Sequence, residues 1–476
     1  MSITRPPPVK QNGGYDLAVI GAGSAGFSAA ITAADQGAQV ALIGHGTIGG
    51  TCVNVGCIPS KTLIRAAETL HQATAASRFA GIRGTATLDD WRALVAQKDD
   101  LVTHMRETKY RDLLPVHNSI AYMEGPARLT DDGVAVNGDR VRTPKTIVTT
   151  GAAAEAPPIP GIESVPFLTS TTALDLERLP ASMIVIGAGY IGCELAQMFA
   201  RLGVRMTVVC RHPPLPQFEP EIGEALAGYF RDEGIEVLCG FSYRSIRRTE
   251  TGAALAIDVD GDDRTIEAET VLVAVGRRPN TDGLGLDEAG VELTPEGGIR
   301  VDERLRTSNP RIYAAGDVTG RDMFVYMAAY GAKIAAENAL DGDGRRYDAG
   351  AMPMVVFTDP QVASVGLTEA EARGQGLDVK TAILPLSELP RALAARDTRG
   401  LVKLVAEEAS DRLVGAHILA PEGCDSIQTA ALAIKHGLTV TDLAETIFPY
   451  LTTVEGLKLC ALSFTKDIRM LSCCAG

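Results

Sequence analysis

The feature that most constrains the fold is a glycine-rich turn between an apolar strand and a helix, and it occurs twice. The apolar run 15–20 precedes the first turn, Gly21-Ala-Gly23-Ser-Ala-Gly26. An alanine-rich helical stretch, 27–36, and a second apolar run, 39–43, follow it. Such a unit places its glycines where a dinucleotide pyrophosphate meets the start of a helix. The pattern therefore predicts a dinucleotide-binding domain.

The same pattern returns later in the chain. A strand is predicted over 183–186, followed by the turn Gly187-Ala-Gly189-Tyr190-Ile-Gly192 and a helix over 193–202. A further strand is predicted over 205–209. Two such units predict two dinucleotides and two nucleotide domains. The alternative is one genuine site and one degenerate structural copy.

The rest of the chain divides around these units. A length of 476 residues suits two to four domains. The proline-rich stretch 154–160 is predicted to be a linker, and a strand over 312–316 ends just before Asp317. From 352 onward strands and helices mix without a nucleotide fingerprint, which favours an α+β dimerisation module. The predicted fold class is α/β, with two Rossmann-like domains and this C-terminal module.

Composition excludes several classes of function. The formal net charge is −14, and no basic stretch concentrates positive charge, which argues against nucleic acid or an anionic membrane as partner. The sequence contains no apolar run of transmembrane length. The first residues, 1–14, are polar and proline-rich and are predicted to be a disordered leader without a signal peptide. Nine cysteines, an odd number, favour a reducing cytoplasm over a disulfide framework.

The most specific local signal is Gly49-Gly-Thr-Cys52-Val-Asn-Val-Gly-Cys57-Ile-Pro-Ser-Lys61. If Cys52 opens a helix, the helix dipole lowers its pKa and favours the thiolate. With Gly56 between them, the two sulfurs can approach closely enough for a disulfide, and such a pair beside a flavin can carry two electrons. A zinc site, which needs two more ligands, and a pair of inert buried cysteines are the alternatives.

These segments together resemble the pyridine nucleotide–disulfide oxidoreductase family. The two glycine turns, the cysteine segment, the Val-Gly-Arg-Arg-Pro-Asn segment and the Ala-Ala-Gly-Asp-Val segment occur in the order found in that family, from residue 15 onward. The resemblance implies an FAD domain, 15–153 and 276–347, split around an NAD(P)H domain, 154–275. A dimerisation domain, 348–470, would pair two subunits in a homodimer, and 471–476 would be a mobile tail.

The resemblance also implies roles for individual residues. Asp317 would contact the ribitol or phosphate region of FAD, and Lys61 with Glu194 would form a pair near the flavin ring. A surface salt bridge is the alternative for that pair. The remaining residues expected at the two cofactors are Gly21, Gly23, Gly26, Gly50, Thr51, Gly187, Gly189, Gly192 and Gly276.

Two positions depart from the family pattern. An acid is expected at the end of the second strand of the FAD unit, yet Gly44 stands there, followed by His45. The corresponding position of the second unit is Cys210, followed by Arg211. A cation without a carboxylate there tolerates a 2′-phosphate, which favours NADPH over NADH. The alternative is an ordinary exposed arginine.

A third departure concerns the acceptor site. Disulfide reductases of the family carry a His-Pro-Thr…Glu segment near the C-terminus, where the histidine is the acid–base for the leaving thiol. This chain has the segment 448–455, and Tyr450 stands where the histidine is expected. A phenol with a pKa near 10 is a poor base at neutral pH. Ordinary disulfide reduction is therefore predicted to be compromised.

The tail carries adjacent cysteines, Cys473 and Cys474, which can present two soft thiolates to one soft metal ion. A redox relay and an accidental pair are the alternatives. Tyr450, Tyr190 and this terminus together resemble the members of the family that reduce thiol-bound Hg(II) to Hg(0). The resemblance implies that the tail, from the partner subunit, passes Hg(II) from external thiols to Cys52 and Cys57, with Cys57 nearest the flavin.

Further implications and alternatives follow from that resemblance. Tyr190 and Tyr450 would flank the mercury path, or Tyr190 would gate the nicotinamide pocket. Without an N-terminal Cys-x-x-Cys domain, delivery would rely on the tail or on a separate mercury carrier. A thioredoxin reductase-like enzyme, a dihydrolipoamide or glutathione reductase and a non-catalytic metal–thiol buffer are the competing functions. The other cysteines are predicted to be core or incidental, namely Cys193, Cys210, Cys239, Cys424 and Cys460.

Overall fold

The computed structural model describes residues 14–259 and 261–470. In chain order its strands are β1 Leu17–Ile20, β2 Val40–Gly44, β3 Ile120–Glu124, β4 Ala127–Thr130, β5 Gly133–Val136, β6 Asp139–Arg142, β7 Lys145–Val148, β8 Ala152–Ala154, β9 Ser182–Ile186, β10 Arg205–Cys210, β11 Glu236–Cys239, β12 Ser242–Arg248, β13 Ala253–Val259, β14 Asp262–Ala268, β15 Thr270–Val273, β16 Arg277–Pro279, β17 Ile312–Ala314, β18 Met354–Val356, β19 Gln361–Gly366, β20 Val379–Pro385, β21 Leu401–Glu407 and β22 Leu413–Ala420.

The helices are α1 Ser24–Asp35, α2 Gly50–Val55, α3 Cys57–Ala75, α4 Trp91–Arg106, α5 Tyr190–Arg201, α6 Pro220–Asp232, α7 Val325–Asp341, α8 Glu369–Gly374, α9 Pro390–Ala395, α10 Gly423–Lys435, α11 Val440–Glu445 and α12 Glu455–Leu462. Across the two described ranges, none of the helices combines the length and the apolar character needed to cross a bilayer.

The chain divides into two compact units, and each is interrupted in sequence. The first contains the residues up to Thr62, Arg92–Glu155 and Gly276–Asp348. The second contains Leu63–Trp91, Ala156–Val275 and the residues from Ala349 onward. The predicted boundaries of the individual domains stay predictions.

A parallel sheet in the order β17-β7-β1-β2-β3 forms the centre of the first unit. Leu17 and Val19 face one side and pack with α1 and α7. Ala18 and Ile20 face the other side and pack on the antiparallel sheet β4-β5-β6, against residues such as Val134. Because both faces are covered, β1 is apolar without alternation.

The described residues of the second unit form three sheets. The parallel sheet β11-β10-β9-β15 packs on the antiparallel sheet β12-β13-β14, where Ile184 and Ile186 meet Leu255 and Ile257. The antiparallel sheet β18-β19-β22-β21-β20 forms a separate core with α10 and α12. The carboxyl ends of the parallel strands, where ligands bind in such sheets, carry the glycine turns. The predicted α/β class with a C-terminal α+β module is confirmed.

Candidate active site

The first glycine turn is closed by contacts that exclude a side chain at two of its three glycines. Gly21 has a φ of +119°, and a Cβ there would lie 2.3 Å from the carbonyl oxygen of Thr149. A Cβ on Gly26 would lie 1.7 Å from the Gly21 carbonyl oxygen. At Gly23, the N-cap of α1, the nearest atom to an added Cβ is the Cα of Gly50 at 3.5 Å. The start of α1 therefore has the form of an anion-binding turn.

The cysteine segment packs directly on this turn. The Gly49 N–H donates to the carbonyl oxygen of Ala22 at 2.8 Å. Gly50, with a φ of +66°, lies so near Gly23 that a Cβ on it would be 2.7 Å from the Gly23 Cα. Helix α2 begins at Gly50 and carries Cys52 in its first turn. The glycine pair thus fixes the thiols next to the nucleotide turn.

Cys52 and Cys57 are in hydrogen-bond contact through their thiols. Cys57 is the first residue of α3, a helix of 19 residues. Gly56 joins the two helices, and a Cβ there would lie 3.0 Å from the Thr51 carbonyl oxygen and 3.2 Å from the Cys52 Cα. A side chain at this position would need these neighbours to shift by a few tenths of an ångström. Both thiols are partly buried.

The pKa of Cys52 is raised, and the predicted lowering is wrong for this dithiol form. The hydrogen bond with Cys57 is the largest cause and burial the second, while the charge of Lys61 acts in the opposite direction. Cys52 lies near the start of the short helix α2, whereas the long helix begins at Cys57. The helix N-terminus that favours a thiolate is therefore at Cys57.

Tyr110, which sequence analysis missed, stands beside the thiol pair. Its hydroxyl lies 3.1 Å from Ser24 Oγ in the first glycine turn, and its ring packs edge-on against Phe27 at 4.9 Å. Burial raises the pKa of Tyr110, and the nearby charges of Cys52 and Cys57 raise it further. No local motif marks this residue, because α4 and the turn after it bring it here.

Asp317 follows β17 at the same sheet edge as the first glycine turn. Burial raises the pKa of its carboxyl, and the Arg277 guanidinium, 3.8 Å away, opposes that shift. A Cβ on Gly316 would lie 3.3 Å from the Ala25 Cβ, so this turn lies against α1. Gly276, which immediately precedes Arg277 and β16, belongs to the same unit.

The departure at Gly44 has a steric cause. A Cβ there would lie 2.5 Å from the Tyr122 hydroxyl oxygen and 2.9 Å from the Ala22 Cβ. Strands β2 and β3 pair with Leu42 opposite Tyr122, which brings the phenol to the end of β2. The space that an acidic side chain would need is therefore filled by Tyr122. Burial raises the pKa of this phenol.

The second glycine turn repeats the first. A Cβ on Gly187 would lie 2.5 Å from the Ala274 carbonyl oxygen, and one on Gly192 would lie 2.0 Å from the Gly187 carbonyl oxygen. At Gly189 an added Cβ would have no heavy atom within 4 Å among the described residues. Two glycines close the turn, and the third faces open space at the N-cap of α5.

Tyr190 is the first residue of α5. Its hydroxyl donates to the thioether sulfur of Met354 at 3.3 Å, and its ring packs edge-on against Phe218 at 5.6 Å. Burial raises the pKa of Tyr190, so the phenol is neutral at physiological pH. The side chain is held on the open side of the second turn.

The end of β10 leads back to this turn. Cys210 is buried, whereas Arg211 and His212 after it are exposed. The Leu215 N–H donates to the Ala188 carbonyl oxygen at 2.9 Å, which ties the loop to the turn. The Arg211 guanidinium is therefore carried on a loop fixed at the nucleotide turn, where a 2′-phosphate contact and an exposed arginine both fit.

Glu194, in α5, is buried, and its carboxylate accepts a hydrogen bond from the Phe357 N–H at 2.9 Å. Lys61 belongs to the first unit and Glu194 to the second. Their pairing at a flavin stays a prediction.

Tyr450 lies in a turn before α12, with 47 % of its surface exposed. Glu455, the first residue of α12, is buried and accepts a hydrogen bond from the Leu451 N–H at 3.3 Å. Burial raises the pKa of Glu455. The consequence of Tyr450 for acid–base chemistry stays a prediction.

Cys473 and Cys474 lie outside the described residues, and their role stays a prediction. Over residues 14–259 and 261–470, no group of three or more His, Cys, Asp or Glu side chains could hold a metal ion. A multidentate zinc site at Cys52 and Cys57 therefore has no further ligands in that part of the chain. Two thiolates alone still suit a soft ion.

Two family models match the chain. One, described as pyridine nucleotide-disulphide oxidoreductase, matches residues 15–333, and the dimerisation domain of the same family matches residues 352–461. The chain belongs to the pyridine nucleotide–disulphide oxidoreductase family. The predicted enzyme class, an oxidoreductase, is confirmed, and the matched dimerisation domain supports a homodimer.

Curated relatives sharpen the position within the family. The chain is 47 % identical over 472 residues to a mercuric reductase of Streptomyces lividans, covering 97 % of this chain and 99 % of that protein. It is 46 % identical to a mercuric reductase of Shigella flexneri, covering 98 % and 83 %. It is 45 % identical to one of Staphylococcus aureus, covering 98 % and 85 %. The resemblance to the mercury-reducing members is confirmed.

Among solved structures, the chain resembles the HOCl-induced flavoprotein disulfide reductase RclA of Escherichia coli. The Cu(II) complex of RclA aligns with a TM-score of 0.83 at 30 % identity, covering 95 % of this chain and 100 % of that one. A second structure of RclA aligns with a TM-score of 0.82 at 31 % identity, with the same coverage.

Family membership implies FAD and a pyridine nucleotide, and the residues present fit both. Each glycine turn closes on itself through two glycines and leaves the third, Gly23 or Gly189, facing the start of a helix. Such a cradle fits a pyrophosphate that approaches the backbone closely. The predicted preference for NADPH stays a prediction.

Proposed function

We propose that the protein reduces thiol-bound Hg(II) to Hg(0) with electrons from NADPH. The observation that carries the proposal is the thiol pair of Cys52 and Cys57, in mutual hydrogen-bond contact and held against the first glycine turn. It is supported by Tyr450 at the position where disulfide reductases of the family carry a histidine, and by the identity to mercuric reductases.

The first turn and Asp317 would hold FAD, with Gly21, Gly23 and Gly26 at the pyrophosphate and Gly50, Thr51 and Lys61 beside it. Bound FAD would supply the two-electron link between the pyridine nucleotide and the thiol pair. Gly187, Gly189 and Gly192 would hold the pyridine nucleotide, and Arg211 would contact its 2′-phosphate. Glu194 with Lys61, and Gly276, would complete the cofactor contacts.

Cys52 and Cys57 act on the metal as thiolates. Their sulfurs bind Hg(II) and displace two external thiolates, a ligand exchange between soft partners. Two electrons then convert Hg(II) to Hg(0), both S–Hg bonds break, and the two sulfurs remain as thiolates. NADPH becomes NADP⁺ with release of one proton. The metal itself takes up no proton.

This balance explains why a tyrosine is tolerated at position 450. Reduction of a disulfide releases a thiol that needs a proton from a well-placed acid. Release of Hg(0) needs none, so a phenol with a pKa near 10 costs the reaction little. Tyr190 and Tyr450 would line the route of the metal, with Tyr190 placed over the second turn by Met354.

Delivery of the metal rests on the tail in this proposal. Cys473 and Cys474 of the partner subunit would take Hg(II) from external thiols and pass it to the inner pair, so that the homodimer shares each active site. A separate mercury carrier is the other possible donor. The reaction needs free thiols and therefore suits a reducing compartment, the cytoplasm.

The proposal is tested with the purified FAD-loaded protein. NADPH oxidation is followed with Hg(II) in excess small thiol, and in parallel with oxidised glutathione and oxidised thioredoxin. We expect turnover with mercury and little with either disulfide. Turnover with a disulfide and none with mercury would overturn the proposal. A Tyr450→His variant sharpens the test, because it should raise disulfide turnover relative to mercury turnover.

The tail is tested separately. A variant with both Cys473→Ala and Cys474→Ala should lose turnover with thiol-complexed Hg(II), while Cys424→Ser, a substitution of a partly buried cysteine elsewhere, serves as matched control. Full retention of turnover in the tail variant would exclude the relay.

A further inference from the structure

A second pair of thiols lies at the pyridine nucleotide domain. Cys210 ends β10 and Cys239 ends β11, and the two residues stand opposite each other in the parallel register. Their sulfur atoms are 3.0 Å apart. Cys210 is buried, as predicted for a core cysteine, and Cys239 is partly exposed. Adjacent strands bring the two together although they lie far apart in sequence.

We propose that Cys210 and Cys239 form a reversible disulfide that weakens binding of the pyridine nucleotide. The distance between the two sulfur atoms exceeds the disulfide bond length of roughly 2.05 Å by only about 1 Å. Neighbouring parallel strands also keep the two Cα atoms near the separation that disulfides span. Bond formation therefore requires a small shift of the two side chains and of the strand ends that carry them, rather than a new backbone fold.

A disulfide fits this pair better than a metal ion. Two sulfurs that bind one ion stand on different sides of it, each about 2.3 Å from a zinc ion, which needs a wider separation than 3.0 Å. Within the described part of the chain, no set of three His, Cys, Asp or Glu side chains completes a metal site. The pair thus matches redox chemistry.

The two thiols are unequal, which gives the reaction an order. Cys239 is partly exposed and Cys210 is 5 % exposed. The two thiols are in hydrogen-bond contact, and this contact lowers the pKa of Cys239, helped by the nearby charge of Arg231. The more accessible sulfur is therefore also the one whose thiolate is favoured.

The oxidant is a low-molecular-weight disulfide, RSSR. The Cys239 thiolate attacks one of its sulfurs, breaks the S–S bond and releases RS⁻, leaving a Cys239 mixed disulfide. The Cys210 thiol then loses its proton and attacks the Cys239 sulfur, releasing the second RS⁻. Counted from the Cys239 thiolate, the protein pair loses two electrons and one proton, and RSSR becomes two RS⁻, one of which takes up that proton.

The strand order explains the effect on the nucleotide. β10 lies between β9, which leads into the second glycine turn, and β11. A bond to Cys239 pulls the end of β10 toward β11 and away from that turn. Arg211 is the next residue, and its carbonyl accepts a hydrogen bond from Gly240 at 3.2 Å, so the loop follows the sulfurs. The guanidinium then moves away from a 2′-phosphate.

The experiment uses the full chain loaded with FAD. The reduced protein is equilibrated in glutathione buffers of graded ratio, free thiols are alkylated rapidly, and peptides are mapped by mass spectrometry. NADPH affinity is measured on the same samples by calorimetry, in a Cys52→Ser/Cys57→Ser background that prevents turnover. Cys239→Ser and, as matched control, Cys424→Ser are treated alike.

We expect a Cys210–Cys239 cross-linked peptide under oxidising ratios, with an NADPH Kd raised about fivefold or more and restored by dithiothreitol. The change should vanish in Cys239→Ser and persist in Cys424→Ser. Full alkylation of both cysteines at every ratio would overturn the disulfide. A cross-link without any change in Kd would overturn its effect on the nucleotide. Neither result depends on mercury reduction.

Discussion

The two glycine turns are alike in their backbone and different at the end of the strand that follows. In both turns the last glycine packs on the carbonyl oxygen of the first, at 1.7 Å for Gly26 and 2.0 Å for Gly192 from an added Cβ. At the following strand end, Gly44 is crowded by Tyr122, whereas Cys210 touches a second thiol. The backbone conformation of the turn that fits a pyrophosphate is thus the same in both units. The residues at the following strand end, which would contact the rest of the cofactor, differ.

Each turn is also accompanied by a cysteine pair, and the two pairs differ in origin. Cys52 and Cys57 are close in sequence and meet through Gly56 between two helices. Cys210 and Cys239 are distant in sequence and meet because β10 and β11 pair in register. The first pair lies at helix starts near a cofactor turn, and the second lies at a sheet edge. We therefore propose metal chemistry at the first pair and control of nucleotide binding at the second.

The largest expected effect is a difference in mercury turnover between variants of the two cysteine pairs. Cys57→Ser should lower mercury turnover by on the order of 10³-fold or more, because it removes one of two sulfurs that bind the metal. Cys239→Ser should have a much smaller effect under reducing conditions. Steady-state NADPH oxidation with thiol-bound Hg(II) measures both. Comparable losses in the two variants would contradict the division of roles.

The next effect separates the two turns. Gly26→Ala should lower the free energy of unfolding by about 3 kcal/mol and remove FAD, because the methyl group collides with the Gly21 carbonyl. Gly192→Ala should cost a similar amount but leave FAD bound. Flavin absorbance of the purified variants and their thermal unfolding give the result. Gly189→Ala, whose Cβ meets no described atom within 4 Å, is the matched control for stability.

The strand ends give a smaller effect. Gly44→Ala should lower the free energy of unfolding by about 1–3 kcal/mol, because the new Cβ meets the Tyr122 hydroxyl and the Ala22 Cβ. In a Tyr122→Ala background the same substitution should cost less. Denaturant unfolding of the four proteins forms a double-mutant cycle. An equal cost in both backgrounds would show that Tyr122 does not fill the site.

The smallest effect concerns Arg211. Arg211→Ala should raise the KM for NADPH about tenfold, the loss of roughly 1.4 kcal/mol expected for a charged hydrogen bond. The KM for NADH should change little, because NADH has no 2′-phosphate. Arg247→Ala, at an exposed arginine in β12, controls for loss of surface charge. An unchanged ratio of the two KM values would make Arg211 an ordinary exposed side chain.

The sequence predicted what is encoded locally. Both strand–turn–helix units were predicted with the correct order, since a buried parallel strand is a short apolar run and a closed turn admits only glycine. The helices predicted over 27–36 and 193–202 are α1, Ser24–Asp35, and α5, Tyr190–Arg201. The cysteine segment was recognised because its two cysteines lie only five residues apart in the sequence.

What depends on pairing between distant segments was not predicted. The antiparallel sheets β4-β5-β6 and β12-β13-β14 have short strands with mixed exposure and no strong period. Tyr110 reaches the thiols through α4, and Tyr122 reaches Gly44 through the β2–β3 register. The Cys210–Cys239 contact likewise depends on the order of the strands in the sheet, which no local sequence pattern indicates.

In the proposed reaction, electrons from NADPH reduce Hg(II) to Hg(0). The most direct measurement collects mercury vapour from a sealed reaction of the FAD-loaded protein with Hg(II) in excess small thiol, and compares it with the NADPH consumed. We expect one Hg(0) to be released for each NADPH oxidised. With Cys57→Ser we expect neither release of mercury nor oxidation of NADPH. NADPH consumption without mercury vapour would contradict it.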